Sequence, residues 1–431
     1  VHSKDVTIPL TITGTATIDT DYSTAFTSKG VSTVAAGGNG SGNGLSQLSY
    51  VRGVFIDSLE NVYMADSDNQ RIMKWASGAT EGTVVAGGNG TGSAFNQFSN
   101  PMGIHVDSSG NIYIADFNNS RVMKWIPGAS EGTIVAGGNG EGSNNNQFDK
   151  ITSLSLDKAG NIYALDYRNL RVMKWAPGAS EGTIVAGGNG TGSEKNQFHN
   201  PIGIHVDSSQ SIYVADSANN RVMKWEPGAS EGSVVAGGNG PNGSNNNQLN
   251  SPYDVSVDSS GNIYVLDRNN YRVMKWLPDA PEGIVVAGGN GRGSEKNQFG
   301  NSQALDFNSS LNKLYVSDVS YYRIKKFNLN PEITIAAGAT TGTITFTGIA
   351  DSIDEVDETI IVTPSTSTVN ATSSITDVKT ITITDDDDPP TVTFAFSADS
   401  IEENSSTDVT LTATLSVASE KDVSIPYTMS G

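Results

Sequence analysis

Apolar residues along the middle of the chain come in short runs, and polar, glycine-rich stretches interrupt them at short intervals. Over residues 103–125 the order is "GIHV", "DSSGN", "IYIAD", "FNNS" and "RVMKW". Runs this short, rich in Val, Ile and Tyr and bounded by Gly, Asn, Asp and Ser, predict strands joined by tight turns. The pattern returns at a period of about 50 residues, marked by six copies of "AGGNG". The strands leading into these copies begin near Val34, Val84, Ile134, Ile184, Val234 and Val285. A repeat of this length predicts a supersecondary unit that buries its apolar face only against its neighbours, here with four strands per unit.

The pattern "GIHVDSSGNIYIAD…N.RVMKW" resembles the NHL repeat family over roughly residues 31 to 327. That resemblance implies a β-propeller whose blades are four-stranded antiparallel sheets around a central channel. Residues 32 to 36 then supply an outer strand with no inner partners before it, and residues 303 to 327 supply three strands with no outer strand after them. The ring balances with six blades only if the first strand pairs with the last blade, which also removes an exposed sheet edge.

The flanking segments "KDVTIPLTITGTATIDTDYS" and "ITIAAGATTGTITFTGIADSIDEVDETIIVTPSTSTV…KTITITDDDD" resemble successive parts of one Calx-beta domain. The expected fold is therefore all-β, a six-bladed β-propeller inserted in an immunoglobulin-like (Calx-beta) β-sandwich. The expected domains are 1–30, first part of the sandwich; 31–327, propeller; 328–390, remainder of the sandwich; and 391–431, opening strands of a next Calx-beta-like domain. "EKDVSIPYTMSG" at the end aligns with "HSKDVTIPLTITG" at the start, as in a window cut from a tandem array or in a subunit that completes its neighbour by strand donation.

Composition narrows the function classes. A formal charge of −20, from 46 Asp and Glu against 26 Lys and Arg, excludes nucleic acid as the expected partner and favours cations. The absence of cysteine removes disulfides and thiolate metal sites. No apolar stretch approaches the length of a membrane span.

Carboxylates cluster in the sandwich segments, and calcium takes such hard oxygen ligands. The Calx-beta resemblance implies calcium at Asp354, Asp357, Glu358, Asp385, Asp386 and Glu402, with Asp21 as a further candidate. Within the blades, Asp66, Asp116, Asp166, Asp216, Asp267 and Asp318 recur with Arg71, Arg121, Arg171, Arg221, Arg272 and Arg323. One such pair per blade predicts a structural hydrogen-bonded pair, because a catalytic set needs different groups in different roles. Trp75, Trp125, Trp175, Trp225 and Trp276, with Phe327 in the sixth blade, are expected as core between blades. His105 and His205 share an inner-strand position that Asp306 occupies in the sixth blade, and together they are a candidate channel metal site; Phe55, Ser155 and Ser256 fill the other three positions. Sequons at Asn39, Asn89, Asn189 and Asn242 fall in or beside the "AGGNG" loops, where turn chemistry alone also explains Asn-Gly.

These readings point to a bacterial secreted or cell-surface scaffold or adhesin segment, stiffened by calcium, that binds neighbouring copies or tandem domains and a protein or glycan ligand. On this reading the near-identity of the blades argues that the chain is not an enzyme. The alternative is a metal-dependent propeller enzyme of lyase or lactonase type, with its site in the central channel.

Overall fold

The computed structural model describes residues 6–14, 22–25, 32–238, 240–308, 313–329, 332–335, 345–348, 358–364, 378–383, 392–397 and 410–416. It divides into two units, residues 29–329 and residues 1–28 together with 330–431.

The first unit is a six-bladed β-propeller of four-stranded antiparallel sheets. Blade 1 comprises Val51–Ile56, Val62–Asp66, Arg71–Trp75 and Thr83–Gly87, from the channel outward. Blades 2 to 6 start with the inner strands Pro101–Val106, Ile151–Leu156, Pro201–Val206, Pro252–Val257 and Leu305–Phe307. The ring closes as the strand count requires. Ser32–Gly37 lies antiparallel to Arg323–Asn328, with Lys326 opposite Thr33 and Phe327 opposite Ser32.

The core lies between blades. Trp125, 1% exposed, packs with Tyr63, Ala65 and Ile72 of blade 1 and with Ile112 and Ile114 of its own blade. The Phe98 and Trp125 ring centroids are 4.9 Å apart. Each aromatic side chain of this kind removes about 150–250 Å² from water, so a buried ring at every blade contact is the main hydrophobic source of cohesion. The tryptophans are therefore core and present no face to a sugar.

The repeated Asp and Arg are structural, as their spacing predicts. Fully buried Asp116 accepts the Ser99 N–H at 2.8 Å through Oδ1, and the Asn119 amide and Arg121 Nε at 2.8 Å through Oδ2. Arg121 in turn donates to the carbonyls of Ser93, Ala94 and Gln97. One pair thus ties the long loop after "AGGNG" to the turn before the third strand, and satisfies groups that would be costly to bury unpaired. The glycines of that loop have a matching reason: Gly137 sits at φ +68°, and a Cβ there would lie 2.5 Å from the Phe148 ring.

In the second unit, Val6–Gly14 pairs antiparallel with Glu332–Ile335 and with Glu358–Pro364, which also pairs with Lys379–Ile383. Chain segments on both sides of the propeller in sequence therefore share one sheet. Tyr22–Ala25 pairs with Thr345–Gly348, and Val392–Phe396 with Leu411–Leu415. Of the expected calcium ligands, Glu358 opens a strand opposite Ile383, and Asp21, Asp354, Asp357, Asp385, Asp386 and Glu402 lie outside the described residues. No helix among the described residues is long and apolar enough to cross a membrane.

Candidate functional site

The six inner strands wall a channel along the propeller axis, with a cavity of about 170 Å³. That is comparable to an engineered protein cavity of ~150 Å³ that admits benzene, so it suits a small molecule. The sequence shapes its entrance in a repeated way. The residue before the inner strand is left-handed in five blades: Tyr50 (φ 57°), Asn100 (62°), Lys150 (69°), Asn200 (58°) and Ser251 (52°). Tyr and Lys in that conformation carry backbone strain, a feature that gathers at functional sites. The ladder is then irregular between Val51 and Val54, and Arg52 and Gly53 in the gap both line the channel.

The channel wall is one of the places where otherwise similar blades differ. "RVMKW" is unchanged at 121–125, 171–175, 221–225 and 272–276, yet the second inner-strand position reads Arg52, Met102, Thr152, Ile202, Tyr253 and Gln303 in the six blades. At the next position, Gly53, Gly103 and Gly203 give way to Asp254 in blade 5. Gly203 leaves room for it, since a Cβ there would lie 2.4 Å from Asp254 Oδ1.

Two imidazoles and two carboxyls line this one cavity: His105, His205, Asp254 and Asp306. Burial pushes both imidazoles down to about 4, and the charge of His205 adds to the effect on His105. Both are therefore neutral near pH 7. The Phe55 and His105 ring centroids are 4.9 Å apart. The two carboxyls move the other way, up to about 7, again through burial, with the charge of Asp306 adding to the effect on Asp254. Asp254 accepts the Leu305 N–H at 2.9 Å and the Val255 N–H at 3.0 Å. Asp306 accepts the Ile56 N–H at 2.7 Å.

The predicted metal set is brought into one channel without forming a coordination site. Among the described residues no group of three His, Asp or Glu side chains is placed to hold a metal ion, and the Asp306 carboxylate is turned to the Ile56 N–H. The residues that repeat reasoning missed are Arg52, Thr152 and Asp254; the signal for them is a departure from the blade consensus inside the inner strand, not a match to it. The sequon side chains are used in the loops, Asn89 donating to the carbonyls of Gly87 and Asn96 and Asn189 to those of Gly187 and Asn196.

The NHL repeat model matches residues 98–125, 198–225 and 249–276. No curated protein sequence matches the chain. Among solved structures, the chain is similar to a structural-genomics protein of unknown function from Bacteroides thetaiotaomicron VPI-5482, 14% identical, covering 74% of this chain and 76% of that one at TM-score 0.52. It is also similar to XC5397 of Xanthomonas campestris, a gluconolactonase, 13% identical over 66% of this chain and 87% of that one at TM-score 0.48. A streptogramin B lyase is 11% identical over 74% and 98%, at TM-score 0.44. At such identities the likeness shows the fold alone. The expectation that the chain is not an enzyme is corrected by the channel itself, whose wall gathers His105, His205, Asp254 and Asp306 around one cavity. The inference from near-identical blades fails for a physical reason: it averages whole blades, whereas single residues of the inner strands, such as Arg52, Thr152 and Asp254, change what lines the channel. The chain carries NHL repeats, built into a six-bladed β-propeller.

Proposed function

We propose that the axial channel is an active site that moves protons on a small polar molecule, in an elimination or ring-opening reaction of the lyase or lactonase type. One observation carries this reading. The channel wall, where the blades depart from their shared sequence, holds two neutral imidazoles and two carboxyls that titrate at about 7. A carboxyl with that midpoint both gives and takes a proton at neutral pH, and a neutral imidazole accepts or donates a hydrogen bond without bringing charge. Titratable groups pushed apart by burial in one cavity are the usual mark of acid–base chemistry.

Turnover of a panel of small lactones and β-substituted carboxylates by the full chain tests the reading. Activity on a panel member that drops by about 100-fold or more in Asp254→Asn or Asp306→Asn supports it, the size expected for loss of a general acid or base. Activity that both variants retain in full overturns it. Calcium at the acidic residues of the flanking segments, which we read as Calx-beta-like, is a separate proposal supported by sequence resemblance and by the sheet that unites Val6–Gly14 with Glu358–Pro364.

A further inference from the structure

Arg52 is unlike the six arginines that recur once per blade. Arg71, Arg121, Arg171, Arg221, Arg272 and Arg323 each reach an Asp carboxylate within 2.9 Å. Arg52 lines the channel and pairs with no carboxylate among the described residues. Its Nε is buried with no hydrogen-bond acceptor, and Nη1 has only the Met102 sulfur, at 3.7 Å. The Tyr50 ring covers the guanidinium at 4.6 Å and so fixes its plane. A guanidinium held in this way, in a chain of formal charge −20, is a charge left without its counterion.

A second orphan lines the same cavity from blade 3. Thr152 is 6% exposed, and its hydroxyl is buried with no partner. Thr152 stands at the blade position that Arg52 occupies in blade 1, so both residues enter the channel wall at the same position of their inner strands. Tyr253, at that position in blade 5, is held beneath Arg268, 4.8 Å from its ring, and its phenol reaches Gln303 Oε1 at 3.4 Å. Buried donors left unpaired are costly, and a ligand bearing acceptors removes that penalty.

We propose that Arg52 and Thr152 form a carboxylate subsite in the channel, which anchors the acid group of the substrate while the rest of the molecule extends toward Asp306 and the two histidines. This deepens the proposed function and rests on the channel being the active site. A carboxylate suits a guanidinium, because its two oxygens match the planar fork, and a cavity of this size leaves room for only a few more atoms.

The test uses the full chain with succinate, succinamide and inorganic phosphate as probes, read by calorimetry and by the imidazole resonances of His105 and His205. The proposal predicts that succinate moves both resonances, that Arg52→Met weakens it at least about tenfold and Thr152→Val several-fold, and that Arg52→Lys recovers part of the loss. Succinamide binding is expected to be indifferent to Arg52→Met. Succinate binding that Arg52→Met leaves unchanged in a variant of wild-type melting temperature overturns the subsite but not the channel, provided the resonances still move. Phosphate that binds more tightly than succinate with the same Arg52 dependence overturns the carboxylate assignment. Resonances that no probe moves overturn both the subsite and the reading on which it rests.

Discussion

Asp306, on the inner strand of the last blade, accepts the Ile56 N–H of the first blade at 2.7 Å. A residue first noted as a possible metal ligand is thus also a stitch across the seam where the ring closes. Just past the same end of these strands, Lys313 meets Glu60 at 2.6 and 2.8 Å, and the Asn308 amide reaches Glu60 at 3.1 Å. The seam therefore combines one outer-strand pairing with polar contacts along the innermost and second strands.

The Glu60 contact makes a modest prediction. Burial alone would raise this carboxyl, but the bonds from Lys313 and Asn308 outweigh it and hold it below the usual range. A depressed folded pKa contributes stability that is present at neutral pH and lost as pH falls through the acidic range. Glu60→Gln is expected to lower stability at pH 7 by no more than about 1 kcal/mol, since the pair is partly solvated, and to narrow the gap to wild type at low pH. Urea unfolding at pH 7 and pH 4 measures both.

The buried Asp–Arg pairs predict a larger and non-additive effect. Arg121→Met leaves Asp116 charged, buried and short of a donor, at a cost of about 3–5 kcal/mol. The double change Asp116→Asn with Arg121→Met removes the orphaned charge and should recover part of that loss. A double variant no more stable than Arg121→Met would show that the loop contacts of Arg121 matter more than the charge.

Packing between blades predicts that Gly132→Ala destabilises the propeller, because a Cβ there would lie 2.3 Å from the Trp125 ring. Overpacking of this kind costs about 1–3 kcal/mol, and Trp125→Ala, which leaves a cavity, about 3–5 kcal/mol. Thermal melts that leave Gly132→Ala at the wild-type midpoint would contradict the packing described.

The channel predicts a pH profile in which two effects oppose each other. The folded chain keeps protons on Asp254 and Asp306 up to about pH 7, so their contribution to stability falls as pH rises from about 4 toward 7. It keeps His105 and His205 neutral down to about pH 4, so theirs falls as pH drops from about 6.5 toward 4. Removing the carboxyls should expose the histidine term. The double variant Asp254→Asn, Asp306→Asn, whose amide oxygens still accept the backbone N–H groups, should melt at progressively higher temperature from pH 4 to 6.5, more steeply than wild type.

Much of the propeller was legible in the sequence because its cues are local and repeated. Residues 32 to 36 had no inner partners and residues 303 to 327 no outer one, so their pairing followed from counting, and Thr33 does face Lys326. The Asp116–Arg121 contact and the buried Trp125 followed from recurrence at a fixed spacing. The site was only half legible. His105 and His205 stood out as rare residues at one repeated position, whereas Asp254, Arg52 and Thr152 are single exceptions. Their exposure to the channel depends on an irregular strand opening, between Val51 and Val54 in blade 1 and between Pro252 and Asp254 in blade 5, that no residue type announces. The same blindness to position made the blades look too alike for an enzyme.

The central claim is that burial in the channel prepares acid–base groups for neutral pH. Carboxyl carbon NMR of Asp254 and Asp306 through a pH titration of the folded chain measures this directly. The account predicts midpoints near 7 for both carboxyls, with that of Asp254 falling when Asp306 is changed to Asn. Both carboxyls titrating near 4, as in an exposed peptide, would contradict it.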